Sequence, residues 1–171
     1  MSFTYASLQQ MKKMLSNLDT WLEKASKLAA AKPYDVNVLT TARLAPDQFS
    51  LARQVQSACD NVKFTFVRLS GKEAPAQADT EQTVEELRAR IKATVSLLDT
   101  YKADDFAGAE TKAIVMPRRE GKTMKGSEYL LEYAQPNFYF HVTTAYAILR
   151  HNGIDVGKSD YLGVLPLKSP A

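Results

Sequence analysis

From Leu8 to Ala29 an apolar residue returns every three or four positions without a break: Leu8, Met11, Leu15, Leu18, Leu22, Ala25 and Ala29. A helix turns about 100° per residue, so this spacing lays all of these side chains along one stripe. Met14, Trp21 and Leu28 widen the stripe by one position, as a core-facing helix of a bundle requires. A helix running from about Tyr5 to Ala31 is predicted, stopped by Pro33. A helix of that length must bury its stripe against partners of similar length. Its added width also exceeds what one seam has to cover. Part of this helix, or the short helix near Tyr129, is therefore expected to meet a second copy of the chain, most simply as a homodimer.

The rest of the chain supplies those partners. Pro33–Ala45 reads as a connector, and Pro46 opens a second helix with Phe49, Ala52, Val55, Cys59, Val62, Phe66 and Leu69 as its inward stripe, closed by Gly71. Ser70–Asp79, reading SGKEAPAQAD, is a linker. Its ten residues reach roughly 33 Å when extended, so a tight turn and a full crossover both remain open. Asp79 or Thr80 can cap a third helix, with Gln82 completing a capping box. Val84, Leu87, Ile91, Thr94, Leu98 and Tyr101 form its inner face, and Glu86 and Arg90 an outer i,i+4 pair. Lys112–Pro117 and Lys122–Lys125 flank Arg118–Gly121 as a small β-hairpin, and Ser127 caps a brief helix through Tyr133. The last long helix runs from Pro136 to Gly153, followed by a short Gly- and Pro-rich tail. The expected architecture is all-α: a four-helix bundle with a small hairpin and a short helix between its third and fourth long helices, in one domain spanning 1–171.

Composition narrows the function. No run of 18 or more apolar residues occurs, so no membrane span is expected. The first helix carries lysines and does not read as a secretory leader. Cys59 is the single cysteine, which excludes an internal disulfide and a multi-cysteine zinc site; its place on the apolar stripe makes it a core side chain rather than a nucleophile. A cytoplasmic protein is expected. A net charge of +3 is too small to imply nucleic acid. Lys112, Arg118, Arg119, Lys122 and Lys125 make the hairpin basic, but no aromatic platform is interleaved with them, so they read as a solvated surface. Asp104 and Asp105 terminate a helix and carry no catalytic weight.

The chemistry-bearing stretch is AQPNFYFHVTTAYAILRHNG, Ala134–Gly153, which holds both histidines. Phe138, Val142, Ala145 and Leu149 mark its inner face. His141 falls near that face and His151 away from it. Asn137 lies one turn before His141, so the two side chains can converge. Tyr129 and Tyr133 can bring hydroxyls to the same place, and one of these three is the expected hydrogen-bond partner of His141. The aromatics from Tyr129 to Tyr146 read chiefly as packing.

Three stretches carry a resemblance: LTTARLAPDQFSLARQVQSACD (Leu39–Asp60), GSEYLLEYAQPNFYFHVTTAYAILRHNGIDVGKSDYLG (Gly126–Gly163) and the hairpin between them. Together they resemble a bacterial family of unknown function within the DinB/YfiT-like metalloenzyme superfamily. The resemblance implies an up-down-down-up bundle with the second and third helices parallel, and frequent dimers. It also implies a divalent metal, zinc or nickel, on three histidines: one on the second helix and two, four residues apart, near the start of the last. Members with assigned activities are metal-dependent hydrolases and transferases or isomerases that use small thiols.

Aligned by its ILR-x-NG ending, the last helix places His141 at the second histidine of that pair and Asn137 at the first. The second helix has no histidine; Gln56 and Lys63 are its polar residues nearest the inward stripe. Only His141 matches a superfamily ligand, and a neutral amide oxygen replaces imidazole poorly on zinc or nickel. The expected function is a metal-free small-molecule-binding pocket around His141, with Asn137, Tyr129 and Tyr133 beside it and no assigned cofactor. The alternatives are a divergent metal- or thiol-dependent hydrolase or transferase and, more remotely, a protein-interaction bundle.

Overall fold

The structure is a computed structural model that describes residues 2–116 and 119–169. Among those residues the chain is mostly helical, with six α-helices and one small antiparallel sheet. Helix α1 spans Phe3–Ala30, and the Ser2 hydroxyl accepts from the Tyr5 N–H at its start. The predicted stripe from Leu8 to Ala29 is buried throughout, and Met14 and Trp21 are buried with it. The added width is covered from within the chain. Helix α6, Lys158–Leu162, stacks Tyr161 on Trp21 with ring centres 5.5 Å apart, and the Trp21 indole N–H donates to the Asp160 carbonyl at 3.1 Å. That face of α1 no longer argues for a second copy.

Helix α2 spans Leu51–Ser70, later than predicted. Pro46 does not open it: Ser50 takes the N-cap position, and Phe49 lies outside the helix, 51% exposed. The segment before it forms a short 3-10 turn at Val36–Thr41. Gly71 ends α2 with φ of 82°, a left-handed conformation that costs glycine little.

From Gly71 to Gln82 the chain has no helix or strand and runs back along α2, where Arg53 pairs with Asp79 and the Gln56 side-chain amide donates to Glu81 at 2.9 Å. Helix α3, Val84–Leu98, is capped by Thr83 and Glu86, which form a capping box, not by Asp79 or Thr80 with Gln82. Asp79 is spent elsewhere. Arg90 was expected outside with Glu86; its side chain is instead 0% exposed and held by Asp60 and Asp79 at 2.9 Å and Glu81 at 3.0 Å. Arg90 meets Asp60 and Tyr101 meets Phe66, so the residue numbers rise together and α3 runs beside α2 in the same direction. The linker is a crossover.

Strands β1 (Ala113–Val115) and β2 (Thr123–Lys125) pair antiparallel, with Ile114 opposite Met124. Pro117 and Arg118 of the predicted hairpin lie outside the described residues. The backbone at Gly126 passes so close to Ala109 that a Cβ there would sit 1.8 Å from the Ala109 carbonyl oxygen, which restricts the position to glycine. The brief helix and the last helix were expected as separate elements but form one run. Helix α4, Gly126–Glu128, passes through a π-helical segment, Tyr129–Ala134, into α5, Gln135–His151. A π turn widens the backbone just ahead of Pro136, relieving the clash a proline ring makes with the preceding turn. No helix among the described residues is long and apolar enough to cross a membrane.

Candidate functional site

One face of α2 carries Arg53, Ser57, Asp60, Asn61, Phe64 and Arg68, again in steps of three and four, beside its buried stripe. One face of the last helical run carries Tyr133, Asn137 and His141 in steps of four. These two rows form the walls of a cleft of about 500 Å³, which Phe49, Met116 and Arg119 complete from the loop before α2 and from the hairpin. Three of the sequence candidates, His141, Asn137 and Tyr133, therefore share one cleft. Tyr129 does not line it. Its ring is buried and stacked on Tyr133 at 5.8 Å, and its hydroxyl takes a hydrogen bond from Arg68 at 3.0 Å.

The partner of His141 is a residue that the sequence reading passed over. His141 Nδ1 lies 2.8 Å from Oε1 of Gln54, a fully buried side chain on α2; Asn137, Tyr129 and Tyr133 are not its partners. The Gln54 amide nitrogen donates to the Phe49 carbonyl at 3.2 Å. That contact fixes the amide with its oxygen toward the imidazole, so Nδ1 carries the proton and Nε2 keeps its lone pair. Burial, and secondarily the Arg53 charge, hold the His141 pKa below the usual histidine value. At neutral pH the ring is uncharged, an acceptor or weak base at Nε2. The polar α2 residues expected nearest the inward stripe have other tasks: Gln56 pins the crossover and Lys63 sits 3.4 Å from Asp60.

The cations around the cleft differ in how they are held. Arg53 pairs with Asp79 and lies over the Phe49 ring at 5.6 Å. Arg68 lies against two rings, Phe64 at 5.5 Å and Tyr129 at 5.7 Å, which fixes its guanidinium without a carboxylate. Asp60 is met by Arg90 at 2.9 Å and Lys63 at 3.4 Å. Asn61 Oδ1 is buried with no hydrogen-bond partner among the described residues. Cys59 is buried on the inward stripe of α2, and burial pushes its thiol up to about 12. It is a core side chain, as its spacing predicts. Asp105 caps the Lys102 N–H and pairs with Lys72 at 2.6 Å, a structural task.

The α2 row was present in the sequence as a second three-four series, 53, 57, 60 or 61, 64, 68, and its mixed polar and aromatic character is the signal that could have found it. Gln54 had no such signal.

Residues 3–162 match a domain of unknown function, DUF1993. The chain belongs to the DUF1993 family. The DUF1993 chain is also similar to a solved structure described as a DinB family member protein from Shewanella denitrificans. The two are 46% identical with a TM-score of 0.92, over 99% of this chain and 100% of that one. No curated protein matches it. The likeness to a DinB-like family of unknown function, read from the Leu39–Asp60 and Gly126–Gly163 stretches, holds for the DUF1993 chain.

Proposed function

We propose that this protein is a four-helix bundle of the up-down-down-up type whose cleft around His141 binds a small molecule without a transition metal. The helix order is supported by contacts. Arg88 of α3 reaches back to Asp19 and Glu23 of α1 while Asp99 meets Lys12, so those helices oppose each other, whereas α2 and α3 run together. Arg68 reaches Tyr129 while Gln54 reaches His141, so α2 and the last helical run also oppose.

The observation that carries the metal-free reading is the Gln54–His141 hydrogen bond. The imidazole faces a neutral amide across the bundle and has another, Asn137, one turn away. Amide oxygens are weak donors for zinc or nickel, whose tight sites need several imidazole, thiolate or carboxylate ligands. This donor set does not fit the three-histidine site of the superfamily. Elemental content of protein purified without chelator tests the reading. The expected result is far less than one metal per chain, unchanged by His141→Ala. Near-stoichiometric zinc, nickel or manganese that His141→Ala abolishes overturns it.

A second reading, a divergent hydrolase or transferase, is supported by one feature: the unprotonated Nε2 of a neutral imidazole in a cleft is placed as a general base needs to be.

A further inference from the structure

We propose that the cleft selects a small organic anion, a carboxylate or a phosphate ester on a flat apolar body, gripped by Arg68 and Arg119. The proposal rests on the reading of the cleft as a ligand pocket and adds the class of ligand. It follows from which charges in the lining are already answered. Among the described residues, three guanidinium groups and one carboxylate line the cleft. Arg53 is answered by Asp79, and the Asp60 carboxylate by Arg90 and Lys63. Arg68 and Arg119 have no carboxylate within ion-pair distance among the described residues. The cleft therefore presents uncompensated positive charge to whatever enters it.

The two arginines are suited to the task differently. Arg68 lies against the Phe64 and Tyr129 rings, with the Tyr129 hydroxyl as its hydrogen-bond partner, so part of its side-chain freedom is already lost before binding. Arg119 comes from the exposed hairpin and can swing onto the ligand. A guanidinium fork matches the paired oxygens of a carboxylate or phosphate. Phe49, Phe64 and Met116 supply apolar surface for the rest of the molecule. His141 Nε2 and the unpartnered Asn61 Oδ1 are acceptors, so they receive a hydroxyl or amino donor on the ligand, not its anionic end. A cation meets two unanswered guanidinium groups and a carboxylate that Arg90 and Lys63 already hold.

Benzoate, phenyl phosphate and the neutral isostere benzamide are the probes, titrated into the full chain at low salt and followed by backbone amide shifts. The expected result is saturable movement of amides in Leu51–Ser70 and Gln135–His151 with either anion. Benzamide is expected to bind at least about tenfold more weakly, because charge-assisted hydrogen bonds are roughly twice as strong as neutral ones. Arg119→Gln, at an exposed position that bears on no core packing, should weaken the anions by about three- to tenfold and leave benzamide unchanged. Arg68→Gln should weaken them further. Tighter benzoate assigns the ligand to carboxylates, tighter phenyl phosphate to phosphate esters. If benzamide matches the anions and Arg119→Gln changes nothing, the anion proposal is wrong while the pocket reading stands. If none of the three moves a cleft amide, the pocket reading itself falls and takes the proposal with it.

Discussion

Replacing Gln54 by leucine is the sharpest perturbation of the site, because Gln54 makes the hydrogen bond that orients His141 and is itself oriented by the Phe49 carbonyl. The substitution keeps the volume and removes two hydrogen bonds, to His141 Nδ1 at 2.8 Å and to the Phe49 carbonyl at 3.2 Å. Phe49 is largely exposed, so water takes over its carbonyl. The Nδ1–H is left against an apolar side chain, and an orphaned buried donor costs about 1–3 kcal/mol. We expect Gln54→Leu to lower stability by about 2 kcal/mol. At a urea slope of about 2 kcal/mol per M for a chain of this size, the midpoint falls by about 1 M. His141→Leu strands the Gln54 oxygen in a fully buried position and should cost a similar amount. The double variant has no orphan on either side and should be more stable than the sum of the singles implies, by about 1–2 kcal/mol. The imidazole nitrogen shifts of the wild type should report a proton on Nδ1 and none on Nε2 at neutral pH. Additivity of the two substitutions to within about 0.5 kcal/mol, or the opposite tautomer, would refute the pairing.

Two further expectations follow from the same geometry. His141 has its pKa held below the ordinary value of 6.5. The unfolded chain therefore takes up its proton first as pH falls from neutral, and stability declines from about that value down through the folded-state pKa. The Nδ1–H bond to Gln54 survives protonation, so the loss comes from burying charge beside Arg53. Denaturation midpoints across this window should fall less steeply in His141→Gln, and equal slopes would remove His141 as the cause. Cys59→Ala should cost about 1 kcal/mol through lost packing, and the native thiol should label with an aromatic disulfide only as fast as the chain unfolds. Prompt labelling of the folded protein would contradict its place in the core.

Much of the fold was legible along the chain. A stripe that returns every three or four residues is a local property, and it marked the inner faces of α1, α2, α3 and α5 and put Cys59 inside. The reading went astray where two local signals competed. Pro46 suits a helix start, but Ser50 caps α2. Asp79 and Gln82 suit a capping box, but Thr83 and Glu86 make it. Pro136 suits a first turn, but a π segment lets the helix run through it.

By itself, then, the sequence determined the helices, the family and one of the two walls of the site. Tertiary structure alone decided which polar groups are buried and with whom. Gln54 and His141 are 87 residues apart, and nothing in either neighbourhood announces the other. Arg90 looks like a surface cation until the crossover brings Asp79 and Glu81 over it. Trp21 looks like an interface residue until α6 folds back onto it. The physical reason is common to all three. Burying an apolar side chain depends on its own chemistry and spacing, whereas burying a polar one is tolerable only with a specific partner in place, and the partner is supplied by how distant elements pack.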